Sequence, residues 1–218
     1  DLTLMFMLLG CLSLYAADND LITEQITIKL EKAGTLPDRI SSSKMYKITN
    51  LKIIGEINGT DLSMIREMAG SNSNGNSTDG MLSVLDLSEA KIVEGGDYYY
   101  NDNYSNNNYY TSNDVIGSYA FYECRGLTSL TLPAGITSIG YKAFWDCSGL
   151  TSLTLSAGIT EIGDGAYWGC SRLKEVRFCI NDNLDTYLTK GHPYIDVDCG
   201  IKYYINDKEI TSIEIPSN

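Results

Sequence analysis

The chain has 218 residues, 43% of them hydrophobic, which is enough to bury a sizeable core. The 28 acidic residues against 16 basic residues give a net charge of −12. This charge argues against nucleic acid or an anionic membrane surface as the partner, because both repel a polyanion. It is also consistent with a surface that only keeps the protein soluble, so it does not identify a partner.

The first residues form an almost entirely apolar stretch, from Leu2 to Ala17, that ends at the polar Asp18. This stretch is short for a membrane span and is typical of the core of a signal peptide. We therefore predict an export signal over residues 1–17, clipped at its start, with cleavage near Ala16 or Ala17. The alternative is a lipid anchor on Cys11, because Leu-Leu-Gly-Cys resembles a lipobox. In both cases we expect a secreted or cell-surface protein with no membrane span after processing.

Residues 18–94 carry strand and helix signals without a fixed period. Asp61 is expected to cap a helix over 62–69, and the Ser/Asn/Gly-rich residues 71–80 predict a loop. The predicted strands cover residues 22–30, 48–53 and 82–87. We interpret the segment as an N-terminal cap of irregular early coils, which covers the first regular coil as terminal repeats usually do.

Residues 95–114 are rich in Tyr, Asn and Asp and show no apolar period, so we predict an insertion loop. Tyrosine offers a large contact area with few torsions to freeze, and Ser, Gly and Asn adapt around it. The loop is therefore a candidate binding site, and a spacer without a binding role is the alternative. Its candidate partner-binding residues are Tyr98, Tyr99, Tyr100, Tyr104, Tyr109 and Tyr110.

One pattern occurs three times between Ile116 and Phe178, and each copy follows the last by 23 residues. This period lies in the range of leucine-rich repeats. Leu153 and Leu155 alternate with polar residues and share one face of a short strand. The copies are Ile116-Gly117…Ala120-Phe121…Cys124…Leu127…Leu130…Leu132, Ile139-Gly140…Ala143-Phe144…Cys147…Leu150…Leu153…Leu155 and Ile162-Gly163…Ala166-Tyr167…Cys170…Leu173…Val176…Phe178.

One such coil cannot bury its apolar side alone, so neighbouring coils must stack. Ala143, Cys147 and Leu150 are spaced as one stripe of a short helical turn. We therefore predict an α/β-type repeat solenoid over residues 115–180, in which short parallel strands alternate with short helical turns. Residues 181–218 are interpreted as an irregular segment that leads into a further, truncated repeat.

These motifs resemble the BspA-like branch of leucine-rich repeat proteins, which are bacterial surface antigens. The matching residues are Leu150-x-x-Leu153-x-Leu155 and Ile136-x-x-Ile139-Gly140-x-x-Ala143-Phe144-x-x-Cys147. The resemblance implies a repeat solenoid that adheres to host or matrix proteins or to other cells. Gly135 and Gly158 stand where the general consensus has Asn or Cys, so we expect no asparagine ladder.

The sequence contains no recognisable catalytic, metal or cofactor motif, and we predict a protein that is not an enzyme. The single histidine, His192, precedes a proline in a predicted turn. Cys124, Cys147 and Cys170 recur at the repeat spacing, which predicts small buried side chains instead of metal ligands. Whether Cys179 and Cys199 form a disulfide stays open. A hydrolase that uses a pair of carboxylates is a remote alternative.

Two surfaces of the predicted solenoid are candidates for partner binding. Tyr122, Trp145 and Trp168 share one repeat position beside the predicted core, which predicts an outward column of aromatic rings. These rings could instead cover the edge between coils. The outward face of the strands carries Ser and Thr, then Glu175 and Arg177, and forms either a binding platform or a pairing ladder. We predict a protein partner, with glycan binding through exposed Tyr and Trp as the alternative.

Overall fold

The computed structural model describes residues 21–155, 158–178, 202–205 and 208–210. Within them the strands are β1 (Ile26–Leu30), β2 (Asn50–Ile57), β3 (Val84–Ile92), β4 (Gly95–Asp102), β5 (Asn107–Thr111), β6 (Val115–Ile116), β7 (Ser129–Thr131), β8 (Ser138–Ile139), β9 (Ser152–Leu155), β10 (Glu161–Ile162), β11 (Glu175–Phe178), β12 (Lys202–Ile205) and β13 (Lys208–Ile210). The helices are α1 (Leu36–Arg39), α2 (Ser42–Met45) and α3 (Gly59–Met68).

An eight-stranded sheet runs along the molecule in the order β1-β2-β3-β7-β9-β11-β12-β13. Its neighbouring strands are parallel except for the antiparallel pair β12–β13. The early strands β1 to β3 therefore continue the same sheet as the regular coils. Sheet order follows chain order because each coil returns to a position beside the previous one, which is how a repeat solenoid is built.

The register of the sheet places equivalent residues of successive coils side by side. Leu130 pairs with Leu153, and Leu153 pairs with Val176, at steps of 23 positions. These three side chains are buried, with exposed fractions of 4%, 1% and 0%. The predicted solenoid with one shared interior is confirmed, because alternation along each strand leaves these positions on the inner face.

A second sheet of three strands, ordered β10-β8-β6, lines another side of each coil. The sheet is parallel. Ile139 of β8 pairs with Ile116 of β6 on one side and with Ile162 of β10 on the other. These three isoleucines are buried and close the core from this side.

The third side of the coils differs from the predicted helical turn. In the described part of residues 115–178 it consists of turns, and no helix occurs there. Tyr119 and Lys142 have φ of 60° and 52°, and Gly165, one coil further on, has φ of 63°. A right-handed helix requires negative φ, so these residues interrupt it. The peptide groups instead join neighbouring coils, with Phe121 N donating to Ala143 O at 2.7 Å.

Helix α3 begins one turn before the predicted cap. Asn58 is the residue that caps it, and Asp61 is the third residue of the helix. The Asp61 carboxylate is buried and accepts hydrogen bonds from Asn58 N at 2.9 Å and Leu36 N at 2.8 Å. Asp61 therefore completes a capping box and also fixes the start of α1.

Residues 95–114, predicted as a loop, instead form mainly an antiparallel hairpin of β4 and β5. Tyr100 pairs with Tyr109, and the register is irregular between Gly95 and Tyr100. Because of this irregularity, the consecutive residues Tyr99 and Tyr100 are both buried in the core. The segment therefore lacks the alternation of apolar and polar residues from which a strand is predicted.

Candidate binding surface

The hairpin carries two tyrosines onto the turns of the first regular coil. Tyr100 stacks on Tyr119 with ring centres 5.0 Å apart, and Tyr109 meets Tyr119 edge-on at 4.9 Å. Tyr100 also lies 5.4 Å from Tyr122, and Tyr119 lies 5.5 Å from Tyr141. Tyr100, Tyr109, Tyr119 and Tyr122 form the tyrosine cluster, and Tyr141 of the next coil contacts its edge. The offset and edge-on geometries of these pairs are favoured for aromatic rings.

Arg66 of α3 lies beneath this cluster and is completely buried. One terminal nitrogen donates to Tyr119 O at 2.8 Å and Ala120 O at 3.0 Å. The other donates to Tyr122 O at 3.1 Å, and also to Ser71 Oγ and Asn72 O at 3.2 Å each. The guanidinium thus fixes the backbone that carries Tyr119 and Tyr122.

Sequence reasoning missed Arg66, although a signal was present. Arg66 is four residues after Leu62, on the same helical stripe as Ile65 and Ala69, which are also buried. A charged residue on the apolar stripe of a helix indicates a buried side chain whose polar end is hydrogen-bonded inside the fold, as the two terminal nitrogens of Arg66 are.

Burial raises the pKa of three tyrosines where the hairpin meets the first coil. Burial raises the pKa of Tyr100 to about 12, and it also raises the pKa of Tyr119. Tyr99, whose hydroxyl donates to Ser118 O at 2.8 Å, also has a raised pKa because it is buried. Burial therefore disfavours ionisation of Tyr99, Tyr100 and Tyr119, which pack as neutral rings.

A second, more exposed aromatic group lies on the turns of the second and third coils. The rings of Trp145 and Trp168 pack against each other, tilted by 31°, with centres 4.1 Å apart. Lys142 Nζ lies 4.1 Å from the centre of the Trp145 ring and 5.0 Å from that of Tyr141. Trp168 and Tyr141 are 63% and 43% exposed. We call Tyr141, Lys142, Trp145 and Trp168 the aromatic strip.

The predicted column of Tyr122, Trp145 and Trp168 is thus divided. Trp145 and Trp168 pack against each other, whereas Tyr122 packs against Tyr100 and belongs to the tyrosine cluster. The hairpin causes the division, because Tyr100 offers Tyr122 a partner that the later coils do not have. Sequence reasoning missed Tyr141 and Lys142. Their two repeat positions do not hold an aromatic residue in every coil, so the repeat pattern does not point to them.

The candidate tyrosines of residues 95–114 fall into two groups. Tyr99 and Tyr100 are buried, so they do not offer contact area to a partner, contrary to prediction. Their rings fill the space between the hairpin, α3 and the first coil. Tyr98 and Tyr109 are half-buried, while Tyr104 and Tyr110 are exposed.

The outward face of the eight-stranded sheet is polar. Thr131 pairs with Thr154, and Thr154 pairs with Arg177, so these residues form one row across the strands. Arg177 and Glu175 form an ion pair at 3.2 Å, and the Arg177 guanidinium lies 4.3 Å from the ring centre of Tyr204. Glu175 and Arg177 therefore lie on one face, as predicted from their spacing.

Lys52 bridges the two carboxylates of Asp86 and Glu89 at the start of this face, at 3.2 Å and 2.7 Å. Burial opposes ionisation of Asp86, but hydrogen bonds from Ser88 and the Lys52 ammonium lower the pKa of Asp86 below its usual value. The hydrogen bond to Glu89, followed by that to Asp86, raises the pKa of Lys52. The arrangement favours a charged ion pair.

Cys124, Cys147 and Cys170 are buried free thiols, as predicted. Cys147 Sγ donates to Phe121 O at 2.9 Å, and Cys170 Sγ donates to Phe144 O at 3.1 Å. The thiols of Cys147 and Cys170 therefore both contact the backbone of the preceding coil. Burial raises the pKa of Cys124 to about 11 and that of Cys170 to about 12, so these thiols are not reactive at neutral pH.

Among the described residues no group of His, Cys, Asp and Glu is arranged to hold a metal ion. The part of the chain that the structure describes also has no helix long and apolar enough to cross a membrane. Cys11, Cys179, His192 and Cys199 lie outside the described residues.

The model of the BspA-type leucine-rich repeat region matches residues 94–191, in six copies. These residues include both the turns that carry the aromatic strip and the strands of the regular coils. The chain carries a BspA-type leucine-rich repeat region. The predicted resemblance is thereby confirmed, and the family supports a repeat module for protein interaction.

Two solved structures are similar to this chain. The crystal structure of the T. pallidum leucine-rich repeat protein TpLRR is 14% identical, covers 84% of this chain and 70% of its own, and has a TM-score of 0.42. A leucine-rich repeat protein from Bacteroides ovatus ATCC 8483 is 18% identical, with 82% and 42% covered and a TM-score of 0.30. This chain thus spans less than half of the second protein. No curated protein matches the chain significantly.

Proposed function

We propose that the protein is an exported, surface-associated module that binds protein partners without catalysis and contributes to adhesion to host or matrix proteins or to other cells. The observation that carries the proposal is the aromatic strip, in which Trp168 and Tyr141 are 63% and 43% exposed. Tryptophan and tyrosine are enriched where proteins bind proteins, because they combine a large apolar area with a polar group.

The strip is held in place before any partner arrives. Trp168 N donates to Gly165 O at 3.1 Å, and Trp168 O accepts from Asp146 N of the preceding coil at 2.8 Å. Trp145 lies between Trp168 and Lys142. A surface with ordered rings loses little conformational entropy on binding, which favours affinity.

One pair of neighbouring carboxylates, Asp86 and Glu89, has a structural explanation. Asp86 and Glu89 both contact Lys52, and the pKa of Asp86 is lowered. A carboxylate-based hydrolase needs one carboxyl group that stays protonated as the general acid. Asp86 and Glu89 therefore form, together with Lys52, an ion-pair network that joins β2 and β3.

A plate assay tests the proposal. The purified full chain, and variants Trp168→Ala and Tyr141→Ala, are applied to a panel of immobilised matrix proteins and mucin. Met81→Ala is the matched control, since Met81 is a similarly exposed apolar side chain, at 46%, outside the strip. We expect at least one panel protein to bind wild type and Met81→Ala equally and both strip variants more weakly. Equal binding of wild type and all three variants to the panel would refute the strip as the binding surface.

Glycan binding is the second candidate, and one observation supports it. The exposed ring of Trp168 could stack on a sugar face, whereas Trp145 already has Trp168 and Lys142 as neighbours. A glycan array with wild type and Trp168→Ala distinguishes the two functions. One defined sugar that is lost in the variant would favour the glycan function, and an array without signal would count against it.

A further inference from the structure

The third coil lacks a side chain that the first two coils place next to their outer aromatic residue. Tyr119, Lys142 and Gly165 share one repeat position, and all three have positive φ. Tyr119 packs against Tyr122 at 5.4 Å in the first coil. Lys142 lies over Trp145 in the second. Gly165 offers no side chain to Trp168, which is correspondingly the most exposed ring of the three.

Glycine at this position also brings the two indoles together. A Cβ on Gly165 would lie 3.1 Å and 3.2 Å from two carbons of the Trp145 ring, closer than ordinary contact. Its absence leaves room for Trp145 and Trp168 to pack with ring centres 4.1 Å apart. This contact covers one part of Trp168, and Trp145 is its ring partner among the described residues.

Elsewhere the chain covers aromatic faces with its own cations. The Arg66 guanidinium lies 5.0 Å from the ring centre of Tyr100, Lys142 Nζ lies 4.1 Å from that of Trp145, and the Arg177 guanidinium lies 4.3 Å from that of Tyr204. The negative face of an aromatic ring attracts a cation, and tryptophan is the strongest of the three types. The described part of the chain gives Trp168 no such cation.

We propose that Trp168 receives a lysine or arginine side chain from the protein partner, in the role that Lys142 fills on Trp145. This inference rests on the proposed function, because it names the chemistry of the partner at the aromatic strip. Charge complementarity supports a cationic partner, since the chain carries a net charge of −12. Asp164, exposed and directly before Gly165, provides a nearby carboxylate for the incoming cation.

Peptides that differ only in charge test the inference. Fluorescein-labelled hexa-arginine and hexa-citrulline are titrated into the full chain and followed by anisotropy. Citrulline keeps the planar shape of arginine without its charge. The chain has two tryptophans, Trp145 and Trp168, so its intrinsic fluorescence reports directly on the strip. We expect hexa-arginine to bind and change this fluorescence, and hexa-citrulline to bind about 10-fold more weakly or not at all.

Two variants separate a cation–π contact from general attraction between opposite charges. Trp168→Ala removes the ring, and Trp168→Leu removes the π face but keeps apolar bulk. Both variants should weaken hexa-arginine binding roughly 3- to 10-fold, and Met81→Ala should not. Circular dichroism melts check that the variants fold. Equal binding of hexa-arginine to wild type and both Trp168 variants would show attraction by net charge alone and overturn the inference.

The outcome for the inference is distinguishable from that for the proposed function. Matrix-protein binding that depends on Trp168, together with equal affinity for the arginine and citrulline peptides, would overturn the cationic contact and leave the binding surface in place. Matrix-protein binding that ignores Trp168 and Tyr141 would instead overturn the proposed function.

Discussion

The guanidinium of Arg66 lies 5.0 Å from the ring centre of Tyr100, between helix α3 and the hairpin of β4 and β5. Five oxygen atoms of the fold accept its hydrogen bonds, and three of them, Tyr119 O, Ala120 O and Tyr122 O, belong to the first regular coil. One side chain thus connects the early part of the chain, the hairpin and the regular repeats.

Replacing Arg66 should therefore destabilise the whole protein. We expect Arg66→Met to lower the free energy of unfolding by about 3–5 kcal/mol, because it leaves several buried oxygens without donors. Arg66→Lys should also destabilise, since an ammonium has three donors and cannot reproduce the planar fork. Urea denaturation measures both, with the exposed Arg172→Met as control. An Arg66→Met variant as stable as the control would contradict this role.

The shared interior of the coils predicts a contrast between two adjacent residues. Leu153 is 1% exposed and pairs with Leu130 and Val176, while Thr154 faces outward. Leu153→Ala should cost about 2–5 kcal/mol of unfolding free energy, as large core truncations do. Thr154→Ala should change stability by less than about 0.5 kcal/mol. Similar denaturation midpoints for the two variants would mean that the faces are reversed.

The buried thiols predict a loss of stability at alkaline pH. Burial raises the pKa of Cys124 to about 11 and that of Cys170 to about 12, whereas a thiol in the unfolded chain has a pKa of about 8.5. Above that pH the unfolded state releases protons that the folded state keeps, so stability falls as the pH rises. The contribution of the two buried thiols to stability is fully present below the pKa of the thiol in the unfolded chain. It is lost as the pH rises through the pKa of the thiols in the folded protein.

Thermal melts at pH 7.5, 9 and 10 measure this loss. The double variant Cys124→Ala/Cys170→Ala should start less stable at pH 7.5 because it truncates two core side chains. Its melting temperature should then fall less between pH 7.5 and pH 10 than that of wild type. Parallel profiles for the two proteins would rule out the thiols as the cause.

The close approach of the hairpin to α3 predicts a glycine that cannot be replaced. A Cβ on Gly59 would lie within van der Waals overlap of Asp97 O, and Asp97 N donates to Thr60 Oγ1 at 3.0 Å. Gly59→Ala should therefore destabilise, although alanine favours a helix by about 1 kcal/mol. A Cβ on Gly135 would have its nearest neighbour at 3.6 Å, so Gly135→Ala is the control. Higher stability of Gly59→Ala than of wild type would show that the hairpin does not pack as described.

Several features could be predicted because they repeat. The 23-residue step places Leu130 beside Leu153 and Leu153 beside Val176, and it places Cys147 and Cys170 against the preceding coil. In a solenoid each coil contacts mainly its neighbours, so the period itself encodes these contacts. The three-dimensional structure was needed to show that the turns with positive φ replace the predicted helical turns, because Tyr119 and Lys142 are not residues that signal this conformation.

The sequence by itself determined the solenoid, its shared interior and the buried cysteines, since periodic apolar residues can be buried in only one way. The tertiary structure decided that Tyr99 and Tyr100 are buried, that Arg66 holds the first coil, and that Tyr122 separates from Trp145 and Trp168. These contacts join segments with no common period, and Arg66 reaches oxygens up to 56 residues away. They depend on how the hairpin packs across α3, which no local pattern specifies.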